Sequence, residues 1–197
     1  MVEPTIASAP GDETTDKTLL RRRLLAERRA IAPALRHEWE AAIAERLVPA
    51  ILELSPRRVA VYWPIAGEPD LRSTWTRLEA DGVELALPVV LAAATPLAFR
   101  RWTTGMTLQP DAAKVPAPPA GAAVAIDLVV IPCLGLHPDG YRLGYGAGFF
   151  DRTMAAIDRP LVSIGVAFDI QRCRFGIDVH DEPLTLAVTP SRIERFA

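Results

Sequence analysis

Residues 127–136, DLVVIPCLGL, stay apolar without alternating, and this constrains the fold more than any other segment. A strand with one wet face alternates apolar and polar side chains, whereas a strand apolar throughout is covered on both faces. Pro132 interrupts the run, which is about half of the ~20 residues that a membrane span needs. The segment therefore reads as an inner strand of a layered sheet. Further strands are predicted at 57–63 (RRVAVYW), 83–90 (VELALPVV), 97–102 (LAFRRW), 161–168 (LVSIGVAF) and 184–189 (LTLAVT). Helical spacing of apolar residues appears at 17–32, with Asp16 or Thr15 as N-cap, and again from Pro33, where Trp39, Ile43, Leu47, Ile51 and Leu54 recur. Pro49 is expected to kink or end that second helix. Asp70 is expected to cap a third helix that runs through Leu78 and stops at Gly82, and a fourth is expected at 149–157. Residues 105–126, with Pro110, Pro116, Pro118 and Pro119, read as a long loop. Strands alternating with helices predict a single three-layer α/β domain with a mixed, mostly parallel sheet and an N-terminal helical pair. It would occupy 17–197, behind a disordered tail at 1–16 whose Pro, Thr, Asp and Glu residues leave little to bury.

Composition excludes several function classes. With 197 residues, 50% hydrophobic and 23% charged, the chain is globular in composition. Its 22 basic and 24 acidic residues give a net charge of −2, so a chain-wide basic footprint for nucleic acid is absent. Cys133 and Cys173 stand 40 apart, which favours neither a disulfide scaffold nor a structural zinc site. The acidic N-terminus lacks the order of a signal peptide, and a soluble, cytoplasmic protein is expected.

The segment richest in chemistry is DGYRLGYGAGFFDR at 139–152. Gly140, Gly144, Gly146 and Gly148 lie between a buried strand and a helix. Glycines there can turn backbone N–H groups toward an anion, and the helix N-terminus adds its positive end. Arg142 offers a fork of donors and Asp151 a hard oxygen suited to Mg²⁺. A tight turn needing positive φ would also use glycine, but four glycines with Arg142 and Asp151 favour an anion or nucleotide site. No GK[ST] follows, so this is not a P-loop, and the position late in the chain does not match a dinucleotide fold. Lys17 and Arg21 share one helix face. Spacing alone favours solvent over phosphate for them, as it does for Arg22, Arg23, Arg28 and Arg29. Glu68 follows a strand, where open α/β sheets bind ligands, and could accept from a substrate N–H or merely decorate a turn. His37, His137 and His180 lack metal-ligand spacing, no GxSxG anchors a triad, and Cys133 reads as packing.

Together these segments resemble the 5-formyltetrahydrofolate cyclo-ligase (5,10-methenyltetrahydrofolate synthetase) family. The matching pieces are KTLLR at 17–21, the strand and GEPD at 60–70, and DLVVIPCLGLHPDGYRLGYGAGFFDR at 127–152. GVAFDIQ at 165–171, HD at 180–181 and LAVT at 186–189 complete them in family order. The resemblance implies an enzyme that uses ATP and Mg²⁺. The formyl oxygen of 5-formyltetrahydrofolate attacks the γ-phosphorus and ADP leaves; the second folate nitrogen then attacks the activated carbon, phosphate leaves, and 5,10-methenyltetrahydrofolate forms. It assigns ATP to Lys17, Arg21 and the loop Arg142, Leu143, Gly144, Tyr145, Gly146, Ala147, Gly148, Phe149 and Phe150. Magnesium is assigned to Asp151 and Asp181. Folate is assigned to Trp63 and Glu68, with Tyr145, Gly146, Ala147, Gly148 and Phe149 touching both ligands. Arg142, Tyr145 and Glu68 would be the catalytic set, acting by positioning and electrostatics rather than as nucleophiles.

The chain departs from the family pattern at Leu136-His137, Ala147, Phe149-Phe150 and Gln109-Pro110. None of these removes Lys17, Arg21, Arg142, Glu68 or Asp151, so an active enzyme is expected, monomeric like its family, with folate affinity or pH response altered around His137. The alternative is a folate- or nucleotide-binding relative that has lost turnover; an RNA-binding use of the basic helix would require steep salt dependence.

Overall fold

The 127–136 segment becomes the middle of a seven-stranded sheet, as its apolar character requires. The computed structural model describes residues 16–158 and 160–196, so the predicted tail lies outside the described residues up to position 15. The strands of the sheet are β1 (Arg58–Ala60), β2 (Glu84–Val89), β3 (Ala98–Trp102), β6 (Leu128–Pro132), β9 (Val162–Val166), β10 (Leu186–Val188) and β11 (Ile193–Arg195). Their order is β11-β10-β9-β6-β1-β2-β3. The inner pairs are parallel, and β3 and β11 close the two edges antiparallel. β11 was not foreseen: only three residues long and mostly exposed, it carries no apolar pattern to read.

Alternate residues on each strand build two cores. Val59, Leu85, Leu87, Leu128, Val130 and Val188 face α2 (Pro33–Glu53) and α3 (Arg72–Ala80), meeting Ile43, Leu47, Ile51, Trp75 and Leu78. Ala60, Ala86, Val129, Ile131 and Ala187 face α4 (Phe149–Ala156), which contributes Phe150 and Met154. Helices on both faces with a parallel interior make the three-layer α/β domain. The two N-terminal helices bury different surfaces. Leu20 and Leu24 of α1 (Lys17–Arg29) pack with Leu134, Leu143 and Phe175 in a third cluster, away from the α2 core.

Four local expectations need correction. Helix α2 does not end at Pro49, one of the two outcomes expected there, but runs to Glu53, because Val48, Ala50 and Ile51 are buried on either side of the exposed proline and hold the helix together. Asp70 does not cap α3. Leu71 occupies the N-cap without a side-chain bond, while the Asp70 carboxylate pairs with the Arg72 guanidinium and accepts from the Arg72 N–H at 3.2 Å. The loop at 105–126 contains a two-residue ladder, β4 (Gln109–Pro110) with β5 (Pro116–Ala117), closed by Asp111 accepting from Val90, Ala113 and Val115. The apolar run divides after Pro132. Residues 135–136 form β7 (Gly135–Leu136), paired antiparallel with β8 (Arg142–Leu143), and this hairpin carries the glycine-rich loop.

Candidate functional site

Strand order reverses between β1 and β6, since the chain passes from β1 to β2 on one side and returns to β6 on the other. A crevice outside the carboxyl ends of the strands is the usual ligand site of such a sheet. A cavity of about 300 Å³ lies there. Its walls come from the segment after β1 (Tyr62, Trp63, Ile65, Glu68), the ends of β2 and β6 (Pro88, Val90, Ile131, Pro132), and the loop and helix 142–151.

Glu68 is nearly inaccessible, with 4% of its surface exposed. It stands in a turn whose Ala66 and Gly67 both have positive φ, 48° and 79°. Its carboxylate accepts from the Ile65 N–H at 2.9 Å and from the Tyr145 hydroxyl at 2.9 Å. Burial raises its pKa to about 7 against these stabilising bonds and the nearby Arg28 charge. The same burial, with Glu68 alongside, pushes the Tyr145 phenol upward, so the tyrosine remains a donor. Trp63 stacks edge-on to Trp102, 6.4 Å between centroids, under the Arg72 guanidinium.

The loop that follows β8 is open. Gly144, Tyr145, Gly146 and Ala147 are exposed, and among the described residues their backbone N–H groups carry no hydrogen bond. Gly146 and Gly148 adopt positive φ, 98° and 64°, and Gly148 leads directly into α4. Free N–H groups beside a helix N-terminus are suited to an anion. Gly140 serves packing instead: a β-carbon there would sit 2.5 Å from the Phe196 ring.

The predicted cations lie around this loop, and each is already engaged. Arg21 donates from Nε to the Gly144 carbonyl at 2.9 Å. Lys17 bonds Asp178 and Asp181, at 2.5 and 3.1 Å, and although burial opposes it, these carboxylates hold the lysine pKa above its ordinary value. Arg142, buried, donates to Asp151 Oδ1 and to the Glu182 carbonyl, each at 2.6 Å. Lys17, Arg21, Leu143, Gly146 and Asp181 are not in the cavity wall, whereas Trp63, Glu68, Arg142, Gly144, Tyr145, Ala147, Gly148, Phe149, Phe150 and Asp151 are. Leu143 instead buries its side chain with Leu20 and Leu24.

The N–H of Glu182, the residue after Asp181, donates to Asp151 at 3.3 Å, and Asp181 accepts from the Asp178 N–H at 2.9 Å. Among the described residues no three His, Cys, Asp or Glu side chains form a metal cage. Magnesium keeps several waters and takes oxygens from substrate phosphates, so one or two carboxylates of this kind are the donor chemistry it uses.

Three further expectations are corrected or completed. Arg28 is not on a solvated face; it is fully buried, donating to the Ala66 carbonyl at 3.0 Å and to the Tyr145 hydroxyl. The available signal was its register, four residues after Leu24 and eight after Leu20 on the buried stripe of α1. His137 is buried outside the cavity wall, against Phe175, and accepts at Nδ1 from the Asp139 N–H at 3.1 Å. Cys133 is buried, and burial pushes its thiol up to about 12, as suits a packing residue.

Comparison with known proteins bears on the chain as a whole. The sequence pattern of the 5-formyltetrahydrofolate cyclo-ligase family matches residues 13–190. A 5-formyltetrahydrofolate cyclo-ligase of Mycolicibacterium smegmatis is 31% identical over 186 residues, covering 89% of this chain and 94% of the relative. The solved 5,10-methenyltetrahydrofolate synthetase of Aquifex aeolicus superposes with a TM-score of 0.78 at 27% identity, over 91% of this chain and 92% of its own. That of Mycoplasma pneumoniae superposes at 0.72 with 25% identity, over 89% and 99%.

Proposed function

The chain belongs to the 5-formyltetrahydrofolate cyclo-ligase family, and on that premise we propose that it closes 5-formyltetrahydrofolate to 5,10-methenyltetrahydrofolate at the expense of ATP. The observation that carries this reading is the cavity at the strand-order reversal, walled on one side by Trp63 and Glu68 and on the other by the glycine-rich loop. A folate between them meets a buried carboxylate able to accept from ring N–H groups, and aromatic faces at Trp63, Tyr145 and Phe149.

In this reading the triphosphate lies along 144–148, taking the free backbone N–H groups, with Lys17 and Arg21 reaching it from α1. Lys17 must then exchange Asp178 and Asp181 for phosphate. Asp151 and Asp181 would hold magnesium, which neutralises charge on the transferring phosphoryl group. Arg142 fixes Asp151 by its 2.6 Å bond and faces the site with its remaining charge. Tyr145 keeps its proton and orients Glu68. The formyl oxygen displaces ADP from phosphorus; the second folate nitrogen then adds to the activated carbon, loses its proton, and phosphate leaves. The first step needs its atoms in line and the second needs the nitrogen over the trigonal carbon, and in this reading the facing walls hold the two ligands so. Cytoplasmic, monomeric operation belongs to the same reading. Among the described residues no helix is long and apolar enough to cross a membrane.

Purified protein with 5-formyltetrahydrofolate and Mg-ATP should develop the near-ultraviolet absorbance of the methenyl product. The rise should require both ATP and metal and should be lost in folded Asp151→Asn protein. Folate binding without absorbance or ADP would instead identify a relative without turnover.

A further inference from the structure

Arg28 occupies a position that its helix reserves for apolar residues. Leu20, Leu24 and Arg28 are the buried residues of α1, and the guanidinium has no exposed surface. Burying an unpaired cation is costly, so a wholly buried arginine normally has all its donors satisfied. Among the described residues Nε and Nη1 have no partner, and the side-chain hydrogen bonds come from Nη2. Those bonds go to the Tyr145 hydroxyl and the Ala66 carbonyl. The hydroxyl in turn donates to Glu68 Oε1 at 2.9 Å, and Ala66 begins the positive-φ turn that carries Glu68. Arg36 of α2 completes a clamp, donating to the Gly67 carbonyl at 2.7 Å and to the Arg28 carbonyl. The titratable groups coupled to Glu68 are Arg28 from α1, Tyr145 from the loop, and Tyr62 and Cys133 from the segments that follow β1 and β6. Arg28 is the one cation among these four.

We propose that Arg28 is a positioning residue: through the Tyr145 hydroxyl and the Ala66 carbonyl it fixes the Glu68 carboxylate in the cavity and compensates its charge for folate binding. The donors run in one direction, guanidinium to phenol and phenol to carboxylate, so each bond is strengthened by the charge at its end. The position of Tyr145 and the charge of the site are thereby tied to α1, which packs outside the two sheet cores. Only the folate half of the proposal rests on the function proposed above; the coupling of Arg28 to Glu68 is measurable in ligand-free protein.

The test titrates the Glu68 side-chain carboxyl by carbon-13 NMR, assigned with Glu68→Gln, in the ligand-free wild type and in Arg28→Gln, Arg28→Lys and Tyr145→Phe. The dissociation constant of 5-formyltetrahydrofolate is followed over the same pH range. Arg28→Gln should move the Glu68 midpoint upward by about one unit and weaken folate binding roughly tenfold near neutral pH, with recovery at higher pH. Tyr145→Phe should shift the midpoint in the same direction, and Arg28→Lys should restore most of it. An unmoved midpoint in Arg28→Gln overturns the proposal. If that variant does not fold, an unmoved midpoint in Tyr145→Phe, which alters an exposed residue, overturns it equally. A shifted midpoint in protein that binds no folate overturns the folate reading and leaves the coupling standing.

Discussion

Glu68 is the residue whose surroundings most alter its chemistry. Its carboxyl moves from 4.5 to about 7, chiefly because it is buried. Below the lower value both the folded and unfolded chains are protonated and the group opposes nothing. Between the two values the unfolded chain releases a proton that the fold retains, so this contribution to stability is lost as pH rises through about 7. The shift corresponds to about 3 kcal/mol. Urea unfolding at about pH 5 and about pH 8 should therefore show the wild type losing roughly 2–3 kcal/mol relative to Glu68→Gln. Equal pH dependence in the two proteins would contradict the burial seen here. The sequence placed Glu68 after a strand but left it open as a turn decoration, because what makes it chemical is the contact with Tyr145, 77 positions away.

Elements show which local rules hold and which yield. Asp16 caps α1 through the Thr18 and Leu19 N–H groups at 2.7 and 3.3 Å, as its residue type and position predict. Pro49 was expected to kink or end α2, and the helix does not end there, since burial of Val48, Ala50 and Ile51 outweighs one lost hydrogen bond and a steric clash. The penalty should still be present. Pro49→Ala at this exposed position should raise the unfolding free energy by about 2 kcal/mol, after allowing for the greater freedom of its unfolded chain. An unchanged denaturation midpoint would mean that the helix has already relaxed around the ring. Strand β11 was missed for the opposite reason: its pairing with β10 supplies an edge that no apolar alternation announces.

At the scale of the whole molecule, the fold pairs each carboxylate assigned to magnesium with a cation of its own, Asp151 with Arg142 and Asp181 with Lys17. Removing divalent metal with a chelator should abolish turnover while leaving the thermal midpoint of ligand-free protein unchanged. A fallen midpoint would show that metal supports the fold itself. The inner strand, the layered α/β architecture, the starts of α1, α2 and α4 and the glycine-rich loop were determined by sequence alone, because they depend on short-range periodicity, capping and backbone freedom. Which residues meet was decided by tertiary structure. Arg28 reads as one of six basic residues in its helix until packing buries it under Tyr145, and Lys17 acquires Asp178 and Asp181 across 161 and 164 positions. Gly140 looks like part of an anion loop until Phe196 fills the space beside it. Local sequence encodes the preferences of neighbouring residues, whereas the charge state of a buried group depends on desolvation and on partners that only the folded sheet brings together.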